Sequence, residues 1–357
     1  MMKDVHINSI GYYIPAGRLS NDEVMARIRE ANENRLGKED LELLLYGNRR
    51  KFEFLGIRTR SCCREEDGDN TVTMALKAAR AALKRTEMPG DGVDCLIVSG
   101  VSNPFREPSF ALALARQLDI ACGDFFDIND TCNGFMKSMD VARQYIGTGK
   151  YGNVLLVTSE NPYEIARGMG IDYALRDMSE ADTTFSTLLV GSGAAAVVLS
   201  AKGSGKRIVD YREKRGTADW DASVLTIPGI CLSGSKLGPR SPGVRTDARL
   251  VSAQVIKGVP DFTAEALDQW GMKIADFQLI VMHQLGDNVT FATLDKLHAG
   301  REKAPVNTFR ECGNMAAANI PINLAIAEEQ GRVRGGDSVL LLSSACGISY
   351  SLMHVKW

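Results

Sequence analysis

The chain carries no surplus of charge of either sign. Its 42 Lys and Arg face 44 Asp and Glu, a formal net charge of -2 over 357 residues. No basic tract breaks that balance, so nucleic-acid binding is not expected. Long apolar runs are also missing: no segment reaches the roughly eighteen uncharged residues of a membrane span. The opening "MMKDVHINSIGYYIPAGRLS" puts charge and polar groups where a secretory signal needs its apolar stretch. These absences predict a cytoplasmic protein. The eight cysteines lack any CxxC pair or regular spacing, Cys62 and Cys63 being adjacent and the rest scattered. Neither a disulfide framework nor a zinc cluster is expected, and no metal or cofactor is required.

What is present suits a large α/β core. Hydrophobic residues make up 45% of the chain, enough for one big domain or two fused halves. Short apolar runs at 93–100, 152–159, 193–200, 277–284 and 337–344 read as strands covered on both faces. They alternate with helical segments, as in a layered α/β fold. The stretch 70–85 begins with a polar cap, and Met74, Ala75, Ala78, Ala81 and Ala82 mark a narrow packing face.

The chain also repeats itself. Segments 124–160 and 304–345 each read as strand, turn, helix, glycine stop and apolar strand, with Cys132 placed 17 residues before Gly149 and Asn314 placed 17 before Gly331. "LIVSG" from Leu96 and "LIVMH" from Leu279 set Gly100 opposite His283. The repeat predicts an N-terminal half, 1–203, and a C-terminal half, 204–357, joined in the Gly and Lys cluster 200–207. "GTGKYG" (147–152) matches the glycine fingerprint of dinucleotide binding, but it closes a helix and opens a strand. The fingerprint needs the reverse order, with the pyrophosphate on a helix N-terminus, so it is set aside.

Three residues stand at chemically useful junctions. Cys132 in "NDTCNGF" follows the strand-like "DFFDI" and opens a helix, where unpaired N–H groups and the helix dipole favour a thiolate. On position alone it reads equally as a nucleophile or as a small buried thiol. His283 ends an apolar run and taken singly reads as a core histidine. Asn314, in "ECGNMAAANIP" after the strand-like "VNTF", reads singly as a helix cap. Together they change the reading, because strand ends of open α/β sheets gather at one crevice.

"DTCNGF", "MHQ" and "CGNMAAANIPINLA" resemble, in order and spacing, the Cys, His and Asn motifs of the thiolase superfamily, in its ketoacyl-acyl-carrier-protein synthase III branch. The resemblance spans nearly the whole chain. It implies a five-layered αβαβα fold from two duplicated halves, a homodimer, and acyl transfer through a cysteine thioester, in fatty-acid or polyketide synthesis. Acyl-coenzyme A or acyl-carrier-protein thioesters are the implied substrates, with acyl carrier protein a candidate partner. It casts Cys132 as nucleophile, the backbone N–H groups of Cys132 and Cys346 as the oxyanion hole, and His283 with Asn314 as holders of the second thioester's carbonyl. Cys346 stands where the family usually has glycine.

Other departures bear on the substrate. Arg50 and Phe54 stand where the housekeeping synthases grip coenzyme A, and Asn288 replaces an arginine that helps dock the carrier protein. The charged insertion 29–47 reads as a solvated helical appendage. Glu107 in "REPS" replaces an aromatic residue that crosses the dimer into the partner's acyl site. That pattern, with "GVRTDARL" (243–250), is similar to the ketosynthases that join two acyl chains at the start of olefin biosynthesis, where the glutamate acts as base. The resemblance therefore implies Claisen condensation of the acyl group on Cys132 with a second acyl or β-ketoacyl thioester, Glu107 serving as base in the nondecarboxylative form. Glu107 also reads as a loop carboxylate or an interface ion-pair partner. The rival functions are decarboxylative condensation with a malonyl thioester, acyl transfer to an alcohol or amine, and a noncatalytic subunit of a heterodimeric synthase.

Overall fold

The computed structural model describes residues 3–105, 107–121, 123–168, 173–203, 205–226, 243–304 and 306–357. Its main sheet contains β1 (His6–Tyr13), β2 (Cys95–Ser99), β3 (Asp124–Ile128), β4 (Asn153–Glu160), β5 (Gly193–Ser200), β6 (Arg207–Arg215), β7 (Leu279–Met282), β8 (Ser338–Ala345) and β9 (Ser349–Lys356). The helices that frame it are α1 (Asn21–Asn32), α2 (Lys38–Leu55), α3 (Thr71–Thr86), α4 (Phe110–Gln117), α5 (Gly134–Thr148), α6 (Ala248–Trp270), α7 (Asp287–Lys296) and α8 (Asn319–Glu329). The five apolar runs expected as strands are β2, β4, β5, β7 and β8.

The strand order is β7-β8-β9-β6-β1-β5-β4-β2-β3. β2 runs parallel to β3 and β4, and β7 runs parallel to β8; the remaining neighbours are antiparallel. Strands from the two repeats occupy opposite ends of this order and meet at one bridging pair, His6 with Arg207.

Strand alternation sorts side chains into layers, since successive residues point to opposite faces. Ile97 of β2, Leu156 of β4, Val281 of β7 and Leu341 of β8 share a central core with Met136 and Met139 of α5 and Ile320 and Leu324 of α8. Their neighbours Leu96, Val98, Leu155 and Val157 pack outward under α3 and α4. In the other repeat Ile280, Met282, Leu340 and Leu342 pack under α6 and α7. Five layers result: outer helices, one end of the sheet, the central helices α5 and α8, the other end of the sheet, and outer helices again. Each fully buried Leu, Ile or Val contributes about 1.5–3 kcal/mol.

Local signals set the helix ends that matter for the site. The Asn70 side chain caps α3 by accepting from the N–H groups of Val72 and Thr73. The small residues of α3 let it lie close on β1, where a Cβ on Gly11 would sit 2.4 Å from Ala78 O and Ala82 N. Gly149, left-handed, stops α5.

Two sequence expectations are corrected. Segment 29–47 is the end of α1, a turn and the start of α2, and is not merely solvated: Leu41, Leu44 and Leu45 of α2 are buried with Phe52, Phe185 and Phe309. Mixed charge hid an apolar stripe at spacings of three and four. "VNTF" is not a strand. Residues 306–308 are irregular, and their polar groups turn to Gln284, whose Nε2 donates to Val306 O (3.0 Å) and whose Oε1 accepts from Phe309 N (3.1 Å). Among the described residues, no helix is long and apolar enough to cross a membrane, and no group of three His, Cys, Asp or Glu residues is placed to hold a metal. Six cysteines are free thiols; Cys122 and Cys231 lie outside the described residues.

Candidate active site

Cys132 lies in a tight turn, Thr131–Asn133, between β3 and α5. Thr131 adopts a left-handed backbone (φ 47°), a conformation β-branched residues rarely hold without surrounding support. The support comes from the next residue. Asn133 is buried; its Nδ2 donates to Ser349 Oγ (2.6 Å) and its Oδ1 accepts from Ser351 Oγ (3.0 Å), both on β9. The turn is thus pinned to the other repeat.

His283 directly follows β7, and its backbone N–H donates to Leu342 O of β8 at 3.0 Å. One residue further along β8, Ser343 Oγ donates to Cys132 O at 3.5 Å. β8 therefore carries the cysteine turn and the histidine side by side. Gln284 locks the histidine backbone by donating its N–H to Asn319 Oδ1 at 3.0 Å.

Asn314 follows a short helix, Phe309–Cys312, rather than a strand. Its backbone bridges Val190, with Asn314 N donating to Leu189 O (2.8 Å) and Gly191 N donating to Asn314 O (2.9 Å). Gly191 is needed for this approach, because a Cβ there would fall 1.7 Å from Cys312 O. The Asn314 Oδ1 accepts from Ala316 N at 2.9 Å, an orientation that commits the oxygen and turns the Nδ2 hydrogens away from that bond. The following turn, Ala316–Ala318, packs against the Cys132 turn.

The electrostatics of the cysteine and histidine follow from burial. Dense surrounding protein pushes the Cys132 thiol well above its ordinary pKa, with Cys346 and then Glu160 adding to the rise while its own backbone N–H opposes it. The expectation of a thiolate is thereby reversed for the chain itself: desolvation outweighs the helix terminus. Burial lowers the His283 imidazole to about 4, so it is neutral at pH 7, and neither ring nitrogen has a hydrogen-bond partner among the described residues. An unpaired buried polar group is costly, which singles out the His283 ring as a group suited to hydrogen-bond a substrate.

Cys346 begins the turn from β8 to β9, followed by Gly347 (φ 82°) and Ile348 (φ 37°). The strand leading into this turn holds the cysteine turn through Ser343, and Cys346 adds to the rise of the Cys132 thiol. Glu107 is exposed on the loop between β2 and α4 and joins none of the contacts linking Cys132, His283 and Asn314. The loop is anchored at both ends. Val101 and Ser102 donate backbone N–H groups to Glu160 (3.3 and 3.2 Å), and Asp127 accepts from Phe110 N and Ala111 N (2.7 and 2.9 Å). Arg50 and Phe54 are exposed on α2, and Asn288 lies in the first turn of α7. A cavity of about 1070 Å³ is lined by Arg27, Cys63, Asn70, Phe105 and Tyr163 and does not include Cys132, His283 or Asn314. Volume does not locate this chemistry.

Sequence reasoning missed Glu160, a fully buried carboxylate beside Cys132. Its signal was a charge ending the otherwise apolar run "NVLLVTSE".

Comparison with known proteins places the chain in a family. Residues 126–215 match the family described as 3-oxoacyl-[acyl-carrier-protein (ACP)] synthase III, and residues 267–357 match its C-terminal counterpart. A β-ketoacyl-[acyl-carrier-protein] synthase III from Bradyrhizobium diazoefficiens is 26% identical, with 97% of each chain covered, and one from Oceanobacillus iheyensis is 24% identical, with 99% of each covered. Among solved structures, cerulenin-bound OleA of Xanthomonas campestris has a TM-score of 0.85 at 22% identity, covering 100% of this chain and 98% of that one. The 3-oxoacyl-[acyl-carrier-protein] synthase III of Aquifex aeolicus has 0.79 at 24% identity, covering 99% and 100%. The two structures share the fold. With the cysteine turn inside one matched segment and the histidine and asparagine inside the other, the chain belongs to the 3-oxoacyl-[acyl-carrier-protein] synthase III family of acyltransferases.

Proposed function

We propose that this chain is a condensing enzyme that loads an acyl group on Cys132 and joins it to a second acyl or β-ketoacyl thioester. The observation that carries the reading is the meeting of the cysteine turn and His283 on β8, with the turn after Asn314 packed against the cysteine turn and both His283 ring nitrogens without a partner among the described residues. The comparisons support the acyltransferase class, and one relative in fold, OleA, has been solved with bound lauric acid and lauroyl-CoA.

In the first step the Cys132 sulfur attacks a thioester carbonyl, and the departing thiol takes the proton that Cys132 gives up, so the exchange is neutral overall. The backbone N–H groups of Cys132 and Cys346 serve the oxyanion. In the second step the carbonyl of the incoming thioester accepts hydrogen bonds from the neutral His283 ring and from Asn314 Nδ2. These donors stabilise the enolate, whose α-carbon attacks the acyl-cysteine and expels the Cys132 sulfur.

The enolate needs either loss of carbon dioxide or removal of a carbon-bound proton. We assign proton removal to Glu107, delivered across a homodimer to the partner's site. Its exposure on a loop anchored at both ends supports that assignment, because the free carboxylate projects from a fixed base. The two duplicated halves, 1–203 and 204–357, then divide the labour: the first supplies nucleophile and base, and the second supplies the carbonyl donors.

The test is product analysis. Wild-type protein given two saturated acyl thioesters is expected to release a β-keto product without malonyl thioester. If product forms only with malonyl thioester, the reaction is decarboxylative. If neither mixture yields a carbon–carbon bond, the condensing role is refuted.

A further inference from the structure

Glu160 ends β4 with its carboxylate fully buried and still satisfied. Oε1 accepts from Val101 N (3.3 Å) and Ala317 N (3.2 Å), and Oε2 accepts from Ser102 N (3.2 Å). These donors come from two different places. Val101 and Ser102 begin the loop that carries Glu107, and Ala317 lies in the turn after Asn314. One side chain thus ties the loops of both repeats together. Space for it is reserved by Gly100, where a Cβ would lie 2.9 Å from Glu160 Oε1. Gly100 is the residue that the internal repeat sets opposite His283.

We propose that Glu160 is a positioning residue for the condensation, holding the Asn314 turn and the base of the Glu107 loop in register while its charge tunes the neighbouring Cys132 thiol. The proposal deepens the condensing-enzyme reading and rests on it for the Asn314 and Glu107 roles. Two functions are combined in one group. The carboxylate geometry fixes backbone segments that would otherwise carry unpaired N–H groups. The carboxylate charge disfavours a second negative charge at Cys132, whose turn packs against the Ala316–Ala318 turn that Glu160 holds. Burial raises Glu160 to about 7 against the pull of its N–H donors, so the group changes charge near neutral pH.

The other titratable groups around Cys132 are accounted for. Cys346 acts on it from the turn after β8 and Asp130 from the preceding loop, while His283 follows β7 and is held by its backbone to Leu342 of β8. Asp130 is ion-paired to Arg215 of β6 at 2.6 Å, and His283 carries no charge at neutral pH. Glu160 is the unpaired carboxylate of this set.

Two substitutions separate the functions. Glu160→Gln removes the charge but keeps an acceptor oxygen for Val101 and Ala317. Glu160→Asp keeps the charge but shortens the reach to Ala317. The first readout is the pH dependence of Cys132 alkylation by iodoacetamide, followed by peptide mass spectrometry, which needs no substrate and so stands apart from the enzymatic reading. The midpoint should fall by at least about half a pH unit in Glu160→Gln and stay near wild type in Glu160→Asp. The second readout is condensation relative to acyl loading, which Glu160→Asp should lower by about tenfold and Glu160→Gln by less. An unchanged alkylation midpoint in Glu160→Gln overturns the electrostatic part. Wild-type condensation in Glu160→Asp overturns the positioning part. Should Glu160→Asp fail to fold, as judged by its melting transition, the Gln variant alone decides: an unchanged midpoint together with wild-type condensation refutes the proposal.

Discussion

His283 makes stability depend on pH in a way that can be worked out from its burial. The imidazole titrates at 6.5 when exposed and at about 4 in the folded chain, desolvation being the cause. Above pH 6.5 both states are neutral and the folded chain has its full stability. As pH falls below 6.5 the unfolded chain binds a proton that the folded chain refuses, so stability is lost until the folded group titrates near 4. The total is about 3 kcal/mol, and about 2 kcal/mol has gone by pH 5. Glu160 works in the opposite sense, since its folded value is raised from 4.5 to about 7: its contribution is full below 4.5 and lost as pH rises through 7. A mutant cycle removes that background. Urea unfolding of wild type and His283→Asn, at pH 7.5 and pH 5.0 and one protein concentration, should show wild type losing about 2 kcal/mol more than the variant on acidification. Parallel losses within about 0.5 kcal/mol would refute a neutral, desolvated histidine.

Cys132→Ala should abolish the acyl adduct yet keep a folded protein, with a melting temperature near wild type, because deletion of one sulfur leaves little cavity; intact mass and thermal unfolding check both. His283→Ala and Asn314→Ala should still load acyl groups while condensation falls at least about a hundredfold, since their donors serve the second thioester. Equal loss of loading and condensation in both variants contradicts that division. Glu107→Gln should retain loading and lose condensation of two saturated acyl thioesters by at least about a hundredfold, because the amide cannot take the proton. It should still use malonyl thioester if the wild type does. A wild-type rate with two saturated substrates removes Glu107 as the base.

Apolar runs flanked by turn residues made the main strands legible, and the 17-residue spacings from Cys132 to Gly149 and from Asn314 to Gly331 exposed the repeat. Both are local patterns, written by burial on two faces and by glycine stops. The site was legible only as three separated motifs. Its electrostatics were not: a helix N-terminus is visible in "DTCNGF", but the desolvation that reverses its effect comes from β8, β9 and the Ala316–Ala318 turn, distant in sequence. The buried stripe of α2 was masked for a similar reason, since Leu41, Leu44 and Leu45 lie among charges and meet Phe309 only in three dimensions. Glu160 was overlooked because nothing local shows that three backbone N–H groups from two loops converge on it.

The most direct test follows one acyl group through the reaction. Wild-type protein is incubated with an acyl thioester, freed of excess reagent, digested and analysed by peptide mass spectrometry, and a second portion is chased with an isotopically labelled acyl thioester before digestion. The account predicts an acyl adduct on the peptide carrying Cys132, and its transfer during the chase into a β-keto product containing both acyl units. An adduct on another residue, or one on Cys132 that the chase releases only as free acid or as an ester or amide, would contradict it.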